Sequence, residues 1–168
     1  MSDATTTDAS PSSAPFADDG VARFVQQSSF GGALDIADMR KGIAERAQRR
    51  APGPVLADVR DVNDVGTPGV RARLYRATLH DHAPALLWLH GGGFSTGSIA
   101  SHDRMARRLA SASGVAVVLL EYRLAPEHRY PASIDDTVAA LRFLRGPLAP
   151  SALGFTPAGI AVGGDSAG

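Results

Sequence analysis

Two kinds of apolar pattern run along this chain. Over residues 55–65 and again over 70–78, apolar and charged residues alternate, and Gly66-Thr67-Pro68-Gly69 stands between the two stretches. A period of two broken by such turn chemistry predicts an antiparallel pair at the edge of a sheet. Over 85–89 and 115–120 the runs are continuously apolar, as in parallel strands covered on both faces. Between them Ser101 is placed to cap a helix with Met105, Leu109 and Ala112 on one face. A second helix is expected from near Ser133, with Asp136 as its capping-box partner and Ile134, Val138, Leu141 and Leu144 facing inward. Gly146-Pro147 ends it, and a loop leads to a last apolar run at 159–163. Strands alternating with helices predict the α/β class, a mostly parallel central sheet flanked by helices.

The chain before this region divides in two. Ile36, Met39, Ile43 and Ala47 recur at spacings of three and four, so 21–51 reads as helical. Residues 1–20 are Ser, Thr, Ala, Asp and Pro with carboxylates and no base, a composition that predicts a disordered tail. The expected organisation is therefore a tail over 1–20, helices over 21–51 and an α/β region over 52–168.

Composition narrows the function classes. The 17 basic and 17 acidic residues cancel, which gives no electrostatic footprint for nucleic acid or an anionic membrane. There is no cysteine, so neither disulfides nor thiolate chemistry is available. The N-terminus has no apolar core of a signal peptide, and no apolar run approaches the ~18 residues of a membrane span. A soluble, cytoplasmic protein is expected.

Chemistry concentrates at the ends of two apolar runs. The last passes into Gly164-Asp165-Ser166-Ala167-Gly168. A Gly-x-Ser-x-Gly after a strand is the pattern of a sharp elbow that lifts its central serine, with small flanking residues where backbone passes close by. Ser166 is the candidate nucleophile. Asp165 is a second possibility, because a carboxylate can serve as one, but the centre of the elbow is Ser166. The earlier run ends in His90-Gly91-Gly92-Gly93-Phe94, a loop of bare backbone N–H groups suited to a developing oxyanion. All five histidines, at 80, 82, 90, 102 and 128, precede Ser166. His80 and His82 flank Asp81 with no third ligand at metal spacing, so no metal site is expected. His102 with Asp103, and the pair Asp135 and Asp136, fall in first turns of predicted helices, where carboxylates complement the helix dipole.

These motifs, together with Tyr122-Arg123-Leu124-Ala125-Pro126-Glu127 between them, resemble the hormone-sensitive-lipase-like branch of the α/β-hydrolases, the bacterial carboxylesterases and lipases. The resemblance runs from about residue 50 to Gly168 and identifies the chain with the N-terminal part of that fold. It implies a serine esterase acting on a small-molecule ester without a cofactor. Ser166 is then the nucleophile, and the N–H groups of Gly92, Gly93 and Ala167 form the oxyanion hole. His90, Gly91, Asp165, Gly164 and Gly168 support them, His90 by orienting the glycine loop, while Arg123 and Glu127 brace the loop below. It also implies that the helices over 21–51 form part of a cap, although their pattern fits a flanking helix equally well. In the family the order is serine, acid, histidine, and no Asp or His follows Ser166 here. The chain thus reads as the front part of such an enzyme. The alternative is a catalytically inactive fragment that at most binds acyl groups or associates with a partner. A peptidase on the same fold is less favoured, because the His-Gly-Gly-Gly loop points to esters. Acyl preference and oligomeric state stay open.

Overall fold

The computed structural model describes residues 35–168. The tail expected over 1–20, and the helical stretch before residue 35, lie outside them. Helix α1 (Ile36–Arg49) begins where the Asp35 carboxylate accepts the Ala37 N–H at 2.7 Å. No α1 residue is fully buried, so polar contacts help to hold it. Arg40 makes a two-pronged pair with Glu127 at 2.7 and 2.9 Å and donates to the carbonyls of Ser95 and Ala125.

Five strands form one mixed sheet: β1 (Asp58–Val62), β2 (Arg71–Arg76), β3 (His82–Leu89), β4 (Ala116–Glu121) and β5 (Thr156–Gly164), in the order β1-β2-β4-β3-β5. β1 and β2 pair antiparallel through the Gly66–Gly69 turn, and β2 pairs antiparallel with β4. β3 is parallel to both β4 and β5. Helix α2 (Ile99–Ser113) carries the chain from β3 to β4, while α3 (Ala132–Arg145) and the short α4 (Ala149–Leu153) carry it on to β5. Because β4 and β5 lie on opposite sides of β3, the strand order reverses at the carboxyl end of β3, where open α/β sheets form their binding crevice.

β4 shows why a continuous apolar run is needed at the centre. Val118 and Leu120 enter a core with Leu74, Leu87, Leu144 and Phe155, while Val117 and Leu119 enter a second core with Tyr75, Ile99, Ala106 and Ala110. Each fully buried side chain of this size contributes about 1.5–3 kcal/mol.

The helices differ from expectation in detail. The N-cap of α2 is Ser98, and Ser101 is its reciprocal partner three residues on. Its buried face is Ile99, Ala106 and Ala110, because small alanines allow close approach to the sheet; Leu109 is half-buried beside them, and Met105 and Ala112 lie further round. α3 starts after Pro131 without a side-chain cap, and its inward face is Asp136, Ala140 and Leu144. Asp136 is engaged by Arg123 and so does not close a capping box. Ile134 and Val138 are exposed. The loop after Gly146 contains α4, whose start Pro150 favours. β5 is exposed on much of both faces. Among the described residues no helix is long and apolar enough to cross a membrane.

Candidate active site

The parallel register of β3 and β5 sets Trp88 opposite Gly163 and Leu89 opposite Gly164, so the two motifs emerge side by side from the sheet. The elbow is closed by the Gly168 N–H donating to the Asp165 carbonyl at 2.9 Å. At its apex Ser166 adopts φ 54°, left-handed and sparsely populated for a residue with a Cβ. A Cβ at Gly164 would collide with the Gly168 backbone, and one at Gly168 would collide with the Leu89 carbonyl. The glycines are steric requirements of the turn. Ser166 is exposed, and its Oγ has no hydrogen-bond partner among the described residues.

The glycine loop is held from several sides. The Gly92 carbonyl accepts from the Ser95 and Thr96 N–H groups at 3.1 and 2.9 Å and from Thr96 Oγ1 at 2.9 Å. The Phe94 carbonyl accepts from the Ala125 N–H at 2.8 Å. With its carbonyls anchored, the loop leaves the N–H groups of Gly92 and Gly93 without an acceptor among the described residues, and the same is true of Ala167. Three backbone donors beside an exposed serine hydroxyl can stabilise negative charge on an attacked carbonyl oxygen.

His90 is fully buried and stacks on Tyr122, ring centroids 4.4 Å apart. Its Nδ1 lies 3.1 Å from the Gly91 carbonyl, and the Tyr122 hydroxyl donates to the His90 carbonyl. Burial pushes its imidazole below the ordinary value, against the opposing pull of the Gly91 hydrogen bond. A neutral buried ring suits an orienting role better than proton exchange.

Asp165 spans both motifs. Oδ1 accepts the Gly91 N–H at 3.1 Å and the Trp88 indole N–H at 3.3 Å, and Oδ2 lies 3.3 Å from His102 Nε2. Burial acts to raise its carboxyl, but the His102 contact and the Gly91 and Trp88 donors hold it below the usual carboxylate value. His102 is the participant that sequence reasoning passed over as part of a first helical turn. No spacing signal points from position 102 to 165; only the fold, with α2 packed on β2 and β4, brings them together. Its neighbour Asp103 accepts from Tyr75 and Arg107 and does not merely face the helix dipole.

The remaining candidates sit elsewhere. The His80 carbonyl accepts from Arg76, His82 opens β3, and His128 is exposed. No cluster of metal-ligating residues occurs among the described residues. Arg123 grips Asp136 through its guanidinium at 2.8–3.0 Å and its backbone N–H at 2.9 Å, and Glu127 pairs with Arg40. Thus the 122–127 stretch ties α3, α1 and the glycine loop together. Beside the elbow, Leu89, Phe94, Tyr122, Ile134, Val138 and Ala167 line an apolar hollow of about 240 Å³.

The chain is similar to known esterases in sequence and in fold. A family model described as the alpha/beta hydrolase fold matches residues 86–168. Carboxylesterase NlhH of Mycobacterium tuberculosis is 42% identical over 130 residues, covering 74% of this chain and 40% of that protein. The esterase of Pyrobaculum calidifontis superposes with a TM-score of 0.76 at 36% identity, over 88% of this chain and 48% of the other. An esterase of the bacterial hormone-sensitive lipase family gives 0.64 at 34% identity, over 89% and 47%. The chain therefore spans less than half the length of each of these relatives. It belongs to the α/β-hydrolases, on their hormone-sensitive-lipase-like carboxylesterase branch.

Proposed function

We propose that the protein carrying this chain hydrolyses small carboxylic esters through an acyl-enzyme on Ser166. The single observation behind this is the exposed Ser166 hydroxyl beside the uncommitted N–H groups of Gly92, Gly93 and Ala167, in a chain related to carboxylesterases. Ser166 Oγ attacks the acyl carbonyl as a base takes its proton; the three N–H groups hold the tetrahedral oxyanion; the alcohol leaves with a proton, and water then releases the acid. Each oxyanion donor contributes about 2.7–4 kcal/mol to the transition state. His90 and Gly91 shape the loop, while Gly164 and Gly168 shape the elbow.

A second reading, favoured by the absence of any hydrogen-bonding base on Ser166 Oγ among the described residues, is that residues 1–168 by themselves are inactive. Both are tested with a short-chain p-nitrophenyl ester. The full gene product is expected to turn over and to lose that turnover with Ser166→Ala. Residues 1–168 alone are expected to lack a factor on the order of 10⁴–10⁶, as when a triad loses its partners. Turnover by the short form that vanishes with Ser166→Ala would mean that an upstream histidine serves as base. Turnover of the full product that survives Ser166→Ala would overturn the nucleophile assignment.

A further inference from the structure

We propose that His102 and Asp165 act as a positioning pair that locks the glycine loop in register with the elbow. Asp165 would then act on the oxyanion donors through Gly91, not on substrate; this rests on the ester-hydrolase reading. Asp165 is one residue from the nucleophile, yet its carboxylate is committed to the other motif through the Gly91 N–H at 3.1 Å. A Cβ at Gly91 would lie 2.7 Å from the Asp165 backbone carbonyl oxygen and 2.5 Å from Oδ2, so the approach favours glycine. The carboxylate is itself half-exposed, at 46% of its side-chain surface, and nothing in the elbow alone prevents it from turning to solvent. His102, with Nε2 at 3.3 Å from Oδ2, does so together with the Trp88 indole N–H, 3.3 Å from Oδ1.

The imidazole is fixed in turn from the start of α2. His102 Nδ1 lies 2.8 Å from Ser101 Oγ, and that hydroxyl accepts the Ser98 N–H at 2.9 Å as half of the helix's capping box. A continuous path therefore runs from the cap of α2 through His102 and Asp165 to Gly91, the residue before the first proposed oxyanion donor. An exposed histidine–carboxylate contact taken by itself does little. Here it orients a carboxylate that holds backbone, and backbone donors must meet a developing oxyanion at 2.7–3.1 Å, so that a displacement of about 1 Å can cost on the order of 100-fold in rate.

The test uses the full gene product and p-nitrophenyl acetate, with the Gly91 amide followed by hydrogen exchange in parallel. Asp165→Ala is expected to lower kcat by about 10–100-fold with KM nearly unchanged, and to speed Gly91 exchange. His102→Phe is expected to do the same by about tenfold, whereas His102→Gln, which can still donate to Oδ2, stays within about threefold of wild type. Combining Asp165→Ala with His102→Phe is expected to be no slower than Asp165→Ala alone, because the two act in series. Asp165→Asn keeps an acceptor for Gly91 and is expected to keep that amide protected and kcat within about tenfold of wild type, and His102→Phe carries the measurement if the alanine variant does not fold. The proposal is overturned if His102→Phe keeps both wild-type kcat and a protected Gly91 amide, if the two losses multiply, or if His102→Gln is as slow as His102→Phe. A wild type without Ser166-dependent turnover sinks the esterase reading instead, and Gly91 exchange still decides whether the pair holds the loop.

Discussion

At Ser166 a left-handed backbone carries a side chain, a conformation that costs on the order of 1–3 kcal/mol and persists only where its surroundings impose it. The close passage of Gly164, Gly168 and the Leu89 carbonyl imposes it here. Gly164→Ala is therefore expected to destabilise the fold by about 1–3 kcal/mol, as overpacking does, and to reduce Ser166-dependent turnover. Equilibrium denaturation and an ester assay measure the two effects. Arg123 and Asp136 make a second residue-scale case. Burial acts to raise the Asp136 carboxyl, but the Arg123 guanidinium and backbone N–H hold it below 3.8. A carboxyl depressed in the folded state contributes stability that is present above its unfolded value and lost as pH falls through the folded one. Removing the Arg123 guanidinium leaves burial opposed only by the residue-123 backbone N–H and Thr67, so the carboxyl moves up and part of the stability present at high pH is lost. Arg123→Ala should thus cost about 2–3 kcal/mol at pH 7, below the 3–5 kcal/mol of a fully buried pair because Arg123 is 37% exposed. Denaturant titrations should show the deficit shrinking toward pH 4. At this scale the elbow and glycine loop were legible in the sequence because backbone-driven motifs are local. The partners of Asp136 and Asp165 were not, since each comes from a different element and no spacing rule links them.

Among the elements, the strands were more legible than the helix faces. A parallel strand covered on both sides needs a run of apolar residues, and β3 and β4 have one. An amphipathic helix instead tolerates several rotations, and the deciding factor is how close it must come to the sheet. α2 turns Ala106 and Ala110 inward, which places the larger Met105 toward the rim of the site. α3 turns Asp136 inward to meet Arg123, which leaves Ile134 and Val138 on the apolar hollow beside the elbow. Ala110→Leu is then expected to destabilise the protein by about 1–3 kcal/mol through overpacking, measured by the shift of the denaturant midpoint at constant m. The cap of α2 separates two serines that look alike in sequence. Ser98 Oγ takes the Ser101 N–H, and Ser101 Oγ takes the Ser98 N–H while also touching His102. Ser98→Ala is expected to cost about 1 kcal/mol of stability, within the usual range for an N-cap. Ser101→Ala should loosen His102 as well, so its effect on kcat should exceed that of Ser98→Ala. Equal stability and equal turnover in the two variants would contradict this assignment.

For the molecule as a whole, the order β1-β2-β4-β3-β5 puts the elbow strand at one side of the sheet, bonded to β3 on one flank and to no other strand among the described residues. Its free flank offers a row of N–H and C=O groups, and Val162 beside them is 50% exposed. Long apolar edges of this kind pair with other chains unless charge, proline or covering structure intervenes. At the N-terminal end of β5, Pro157 removes one donor, whereas Ile160, Ala161 and Val162 carry neither charge nor proline. The other side of the sheet is guarded differently: β1 carries Asp58, Arg60 and Asp61 among its valines, and Asp61 pairs with Arg73 on β2. Residues 1–168 studied by themselves are therefore expected to self-associate through β5, with a sedimentation coefficient that rises over the micromolar range. Val162→Lys places a charge on that edge at a half-exposed position, where surface substitutions usually change stability by no more than about 0.5 kcal/mol. It should restore a monomer without moving the denaturation midpoint. Association that persists unchanged in Val162→Lys would locate the contact elsewhere, for instance at the exposed Ile134 and Val138 of α3.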